Sequence, residues 1–130
     1  MTKLRALRAT TEPKWFEYVE EVELLIASSG CPEFKQAARA AFKPHRRRLR
    51  AGQITDKEKE DIVKSAAAEH LLRGWRGLED DSDESLEYSP AVALELFVDP
   101  ELYDLYDFVL EKAGDWQEYL KELQEEAGKN

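Results

Sequence analysis

Apolar residues recur about every 3.6 positions along most of this chain, the spacing of a helix with one buried face. Start and stop signals divide the pattern. Thr55 and Glu58 have the spacing of a capping box, Ser89-Pro90 and Asp99-Pro100 each suit a helix start, and Gly114 suits a helix end. About five helices are predicted, over residues 32–49, 55–73, 90–98, 100–113 and 115–124.

Residues 15–27 fit two patterns. Trp15, Tyr18 and Val22 fall at helical spacing, which favours an amphipathic helix. The same stretch is rich in aromatic and β-branched residues, which favour two short strands with a turn at Glu20-Glu21. The residues alone leave both structures open.

Length and composition fit one domain with a real core. The chain has 130 residues, 42% of them hydrophobic and 36% charged. Its apolar runs, such as residues 24–27, are far too short to cross a bilayer, and the first residues lack the apolar core of a secretion signal. Cys31 is the only cysteine, which excludes an internal disulfide and favours a reducing cytoplasm.

Charge is distributed unevenly. Residues 1–78 hold 16 Lys+Arg and 11 Asp+Glu (16 − 11 = +5), whereas residues 79–130 hold 3 and 17 (3 − 17 = −14). A basic block could contact phosphates, but the acidic excess and the lack of a recognition-helix motif argue against nucleic acid. A solvated basic turn, or one paired with the acidic C-terminal half, is the simpler interpretation. The block consists of Lys43, Arg46, Arg47, Arg48 and Arg50.

The motifs of catalysis and metal binding are missing from the sequence. The acidic stretch 79–87 resembles a calcium loop only in charge. Counted from Asp81, the required glycine and glutamate positions hold Leu86 and Val92. No phosphate-binding glycine loop is present, and Cys31, His45 and His70 form no nucleophile motif. We therefore predict no metal, no cofactor and no enzymatic activity.

A tryptophan between two glycines stands where a predicted helix stops and the acidic stretch begins. A large aromatic residue at such a turn is expected to be buried and to clamp the two helical halves together. A tyrosine-serine-proline sequence ends the acidic stretch and starts the next helix. The residues of this motif are Gly74, Trp75, Gly77, Leu78, Tyr88, Ser89 and Pro90.

In the order and spacing of these residues the chain resembles the tail assembly chaperones of long-tailed bacteriophages. The resemblance covers most of residues 15–113. It implies a short N-terminal β-hairpin over the ambiguous stretch. The expected fold is therefore α+β, mainly α, with that hairpin followed by about five helices in one compact domain. Residues 13–124 would form the domain, with a flexible arm at 1–12 and a frayed tail at 125–130.

The resemblance also implies a non-enzymatic role in the host cytoplasm. Such proteins keep the tape measure protein soluble, help tail tube protein assemble around it, and are absent from the mature virion. A longer frameshifted form of the protein is a further possible partner. Neither a nucleic acid nor a membrane is an expected partner. The predicted contact residues are the surplus aromatics Trp116, Tyr119, Tyr103 and Tyr106. Another phage structural or connector assembly factor, or a small adaptor for a host protein, is the alternative.

Overall fold

The computed structural model describes residues 13–114, together with residues 1, 3, 4 and 125. Two short 3₁₀ segments, Lys43–His45 and Pro100–Leu102, connect consecutive helices. In chain order the strands and helices are β1 (Lys14–Val19), β2 (Val22–Ile26), α1 (Pro32–Phe42), α2 (Arg46–Arg50), α3 (Asp56–His70), β3 (Leu72–Arg76), α4 (Pro90–Val98) and α5 (Tyr103–Ala113).

The three strands form one antiparallel sheet with β2 in the centre. Leu24 of β2 pairs with Trp75 of β3. Alternate side chains of a strand point to the same face, so Val22, Leu24 and Ile26 share one face of the sheet. All three are buried. This is the face that the helices cover.

The expected architecture, a short β-hairpin followed by about five helices, is wrong. Residues 14–26 form two strands of a three-stranded sheet, and Leu72–Arg76, expected to end a helix and begin a turn, form its third strand. The described residues hold four helices of nine residues or more, α1, α3, α4 and α5, and the short α2. The predicted helix at 115–124 lies outside the described residues. The fold class remains α+β.

The spacing of apolar residues predicts helix at β3, because it cannot reveal that the partner strand, β2, lies far away in the chain. Helix α3 ends at His70, and the Leu71 carbonyl accepts a hydrogen bond from Ala27 N at 2.8 Å. Two glycines, Gly74 and Gly77, lower the helix propensity of the following residues. Pairing with β2 then satisfies the backbone hydrogen-bonding groups of β3. Neither the local pattern nor the helix propensity of these residues can reveal this pairing.

Helix α3 packs against α1, α4 and β3. Its side chains Ala66, Ala67 and Ala68 are buried and small, which lets neighbouring elements come close. Fully burying a large apolar side chain contributes roughly 1.5–3 kcal/mol to stability. The largest fully buried side chains are Phe34, Phe97, Leu24, Leu71, Leu72, Val63 and Val109. They come from the sheet and from α1, α3, α4 and α5, so one core joins the elements.

The helix starts follow the signals in the sequence. Thr55 Oγ1 accepts from Glu58 N at 3.1 Å, which with the Glu58 side chain completes the capping box. Ser89 Oγ accepts from Val92 N at 3.1 Å at the start of α4. None of the helices in the described part of the chain has the length and apolar character that crossing a bilayer requires.

Gly77, which directly follows β3, lies close to the turn between β1 and β2 and gives a direct test of the geometry there. Its φ is +85°, and a Cβ there would lie 1.8 Å from the Glu21 carbonyl oxygen. We predict that Gly77→Ala lowers the free energy of unfolding by about 2 kcal/mol or more, measured by urea denaturation. Gly30→Ala is the control, since its added Cβ would meet only Ser28 Oγ at 3.4 Å. Equal stability of the two variants would contradict this β1–β2 turn.

Candidate functional site

The Trp75 motif forms the connection between the sheet and α4. Trp75 is 8% exposed, and its indole Nε1 donates to the Leu86 carbonyl at 2.7 Å. The Tyr88 ring packs edge-on against the indole with centroids 5.0 Å apart. The Tyr88 hydroxyl contacts the carbonyls of Leu72 and Ala68. Leu78 is half-buried beside this cluster. These contacts attach the loop 77–89 to β3 and to the end of α3.

The acidic loop folds upon itself through Asp80. The Asp80 carboxylate accepts from Ser82 N at 2.8 Å and from Glu84 N at 3.0 Å. Asp83 has a φ of 62°, and its N–H donates to the Asp80 carbonyl at 3.1 Å. One carboxylate is therefore used to hold the turn. The described residues include no group of three or more His, Cys, Asp or Glu side chains placed to hold a metal ion.

Three exposed apolar side chains stand at the ends of α4, α5 and β1. Val98 is 58% exposed and Tyr103 is 69% exposed, and Val19 at the end of β1 is 51% exposed. We call these three residues, with the carboxylates of Asp99, Glu101, Asp104 and Asp107, the acidic surface. The sequence contains no lysine, arginine or histidine between Arg76 and Lys112. Apolar side chains and negative charge therefore occur together here without an adjacent cation along the chain.

A tyrosine hydroxyl joins the end of β1 to the start of α5, two elements that contribute residues to the acidic surface. Tyr18, beside Val19, donates to the Asp104 carboxylate at 2.7 Å, and its ring packs on Phe108 with centroids 4.8 Å apart. Partial burial, the hydrogen bond to Asp104 and the negative charge of Asp104 raise the pKa of Tyr18 to about 12. Tyr18 thus remains a neutral donor at physiological pH. Its bond fixes the end of β1 against the start of α5.

The negative charge of α5 also acts on α3. Partial burial raises the pKa of Glu60, and the neighbouring charge of Asp107 raises it further, against an opposing contribution from Lys57. Carboxylates of two helices therefore lie close enough to repel.

A family model described as YdaY prophage protein matches residues 28–130. The chain belongs to the YdaY prophage protein family. It is thus a phage or prophage protein, and the match spans every described helix and β3 but begins after β2. Comparison with curated proteins and with solved structures gives no match.

Of the four predicted contact residues in the YdaY-family protein, Tyr103 lies on the acidic surface. Tyr106 lies in the core, 3% exposed, with its hydroxyl donating to the Glu60 carbonyl at 2.8 Å and its ring on Phe97. Trp116 and Tyr119 fall outside the described residues. Val98 and Val19 are not among the predicted contact residues. The lack of lysine, arginine and histidine on either side of Val98 is the sequence feature that points to this surface.

The opposite face of the sheet carries a second exposed aromatic residue in the YdaY-family protein. Trp15 is 41% exposed, and the Arg76 guanidinium stacks on its ring at 3.7 Å from the centroid. Arg76 Nε also lies 3.1 Å from the Glu23 carboxylate. Cation–π and ionic contacts within the chain thus already engage this face. Truncation of Trp15 therefore provides a control for truncation of an exposed aromatic residue.

The bond between Tyr18 and Asp104 gives a second test. We predict that Tyr18→Phe lowers the free energy of unfolding at pH 7 by about 1 kcal/mol, because Asp104 loses its donor. The pKa of Tyr18 is higher in the folded protein than in the unfolded chain, so its neutral hydroxyl stabilises the fold below pH 10. That stabilisation is lost as pH rises towards 12. The variant should therefore lose less stability than the wild type over this range.

Urea denaturation across pH 7–12 measures both effects. Tyr103→Phe is the matched control, since it removes an exposed hydroxyl one residue from Asp104. Parallel stability curves for wild type and Tyr18→Phe between pH 10 and 12 would exclude the proposed role of this hydroxyl.

Proposed function

We propose that this prophage protein is a non-enzymatic tail assembly chaperone whose acidic surface binds a helical segment of the tape measure protein. The observation that carries the proposal is the exposure of Val98 and Tyr103 within a stretch that contains no cation. Membership of a prophage family and the resemblance of the Trp75 motif to tail assembly chaperones support it.

The chemistry of the acidic surface defines the partner segment. Val98, Tyr103 and Val19 can contact an apolar helix face, as exposed aromatic and aliphatic side chains do at interfaces. The carboxylates around them favour lysines or arginines flanking that face. The proposed ligand is therefore an amphipathic tape measure helix with a basic border. Such a helix would aggregate through its apolar face when uncovered.

Net charge suits the same role. The protein carries a formal charge of −9, which would keep a complex soluble after the apolar surfaces have been covered. We propose that binding takes place in the host cytoplasm during assembly and that the protein leaves before the virion matures. Tail tube protein is a second proposed partner, as is a longer frameshifted form of this chain.

Co-expression with fragments of the neighbouring tape measure protein tests the proposal. Wild type should keep a helical fragment in the soluble fraction and retain it through affinity purification. We predict that Tyr103→Ala weakens the complex about tenfold, because truncating a central aromatic contact costs at least 1 kcal/mol. Charge reversal at Asp107 should weaken it further at low salt and much less at high salt.

Trp15→Ala is the matched control, a similar aromatic truncation on the opposite sheet face. It should bind the fragment as wild type does, provided that circular dichroism shows both variants folded. Loss of binding in Trp15→Ala with full binding in Tyr103→Ala would transfer the function to the other face. Failure of wild type to bind any tape measure fragment would reject the chaperone role.

A further inference from the structure

Helix α4 is apolar on both sides, although only one side faces the core. Ala93 and Phe97 are buried, and the Phe97 ring packs on Tyr106 of α5. The opposite side of the helix follows the spacing i, i+3, i+4, i+7, and its residues are half-buried or exposed. A helix that is apolar all round is usually covered on every side, so this side is suited to a partner. We call it the α4 stripe, and it consists of Ala91, Leu94, Glu95 and Val98.

The charges around the α4 stripe select a cationic partner. Glu95 is the single charged residue from Pro90 to Val98, and it is exposed. The acidic surface continues the stripe at the Val98 end. The chain's own residues 115–130 include two basic and five acidic side chains (2 − 5 = −3), so this segment would be repelled. Charge complementarity therefore favours a separate basic helix as the occupant of the stripe.

The two ends of α4 differ in charge. The first turn contains no acidic residue and the last turn no basic residue, so the side chains of α4 do not offset its dipole. The last carbonyl groups, near Val98, carry partial negative charge, and the carboxylates of the acidic surface follow them in the chain. At the other end, Glu87 is the one acidic residue among the three that precede Pro90. The Val98 end therefore attracts positive charge more strongly.

We propose that the partner helix lies along the α4 stripe, antiparallel to α4, with its N-terminal turn at the acidic surface. The positive end of its dipole then faces the negative end of α4. Ala91 and Val98 are about 10 Å apart along the helix, so the partner needs about two turns of apolar residues. This inference rests on the proposed function and specifies the ligand further: its lysines or arginines precede its apolar positions in sequence.

A synthetic peptide tests whether the α4 stripe is the contact. The probe has about 18 residues, rich in alanine, with leucines on one helix face and evenly spaced lysines beside it. Ala91→Gln places a long polar side chain in the stripe and should weaken binding about three- to tenfold in an NMR titration. Ala40→Gln is the matched control, because Ala40 is an exposed alanine of α1. Equal binding by the two variants, or no binding to wild type, would overturn the proposal.

Paramagnetic broadening in NMR spectra tests the direction. A nitroxide attached to the peptide N-terminus should broaden the amide signals of Val98 and Tyr103 more than that of Ala91. The expected ratio is about two- to fivefold, the preference that helix dipoles and exposed charges supply. The same label at the peptide C-terminus should reverse the order. Equal broadening at both ends of the stripe, or the opposite order, would contradict the antiparallel arrangement.

Neutral variants of the acidic end test the cause of the direction. Glu101→Gln combined with Asp107→Asn should bring the broadening ratio towards one, because both carboxylates are exposed at the Val98 end. Glu33→Gln combined with Glu17→Gln is the matched control, since it removes two exposed carboxylates from α1 and β1. The control should keep the ratio, and circular dichroism checks the fold of every variant. The same loss of preference in both double variants would exclude the acidic end as its cause.

Tape measure fragments separate this inference from the proposed function. A fragment that binds the acidic surface without a preferred direction would overturn the inference and leave the proposed function intact. Failure of every fragment to bind, together with directional binding of the synthetic peptide, would reject the proposed function alone.

Discussion

The structure depends on the burial of one indole ring, that of Trp75. The ring lies in β3, donates to the Leu86 carbonyl and packs against Tyr88, whose hydroxyl contacts the end of α3. Truncating a buried tryptophan typically costs about 3–5 kcal/mol, a large part of the stability of a domain this size. Without this contact the loop 77–89 would lose its attachment to the sheet, and α4 would lose its fixed starting point.

The positions of the residues in the acidic surface depend on that attachment of the loop. Trp75 and Tyr88 position α4, and the turn after Val98 leads directly into α5. The bond from Tyr18 to Asp104 then fixes the start of α5 against β1. Val19 and Tyr103 thus lie at the ends of two elements that this hydrogen bond joins. A preorganised surface of this kind loses little conformational entropy when a partner binds.

Helix positions could be predicted from the sequence because their signals are local. Thr55 with Glu58, and Ser89 with Pro90, mark helix starts that the structure contains. Strand β3 could not be predicted, because its stability comes from pairing with β2 about fifty residues earlier in the chain. The periodicity of residues 15–27 favours helix for the same reason, because a local pattern does not show which strands pair with each other.

The candidate site could be predicted only in part. Tyr103 and Tyr106 both carry the sequence pattern of a contact residue, yet one is exposed and the other is buried beside Phe97. Which side of α5 faces the core depends on where α3 and α4 lie, and no local pattern encodes that. The lack of cations between Arg76 and Lys112 is visible in the sequence. Only the structure shows that the apolar residues Val19 and Val98 are exposed.

Amide and methyl NMR spectra of the isotope-labelled protein, titrated with a basic amphipathic tape measure helix, test the central claim most directly. The acidic surface predicts the largest shift changes at Val19, Val98 and the backbone of Tyr103, with small changes at Trp15. Changes centred on Trp15 and Arg76, or spread evenly over α1, would contradict the assignment of this surface as the binding site.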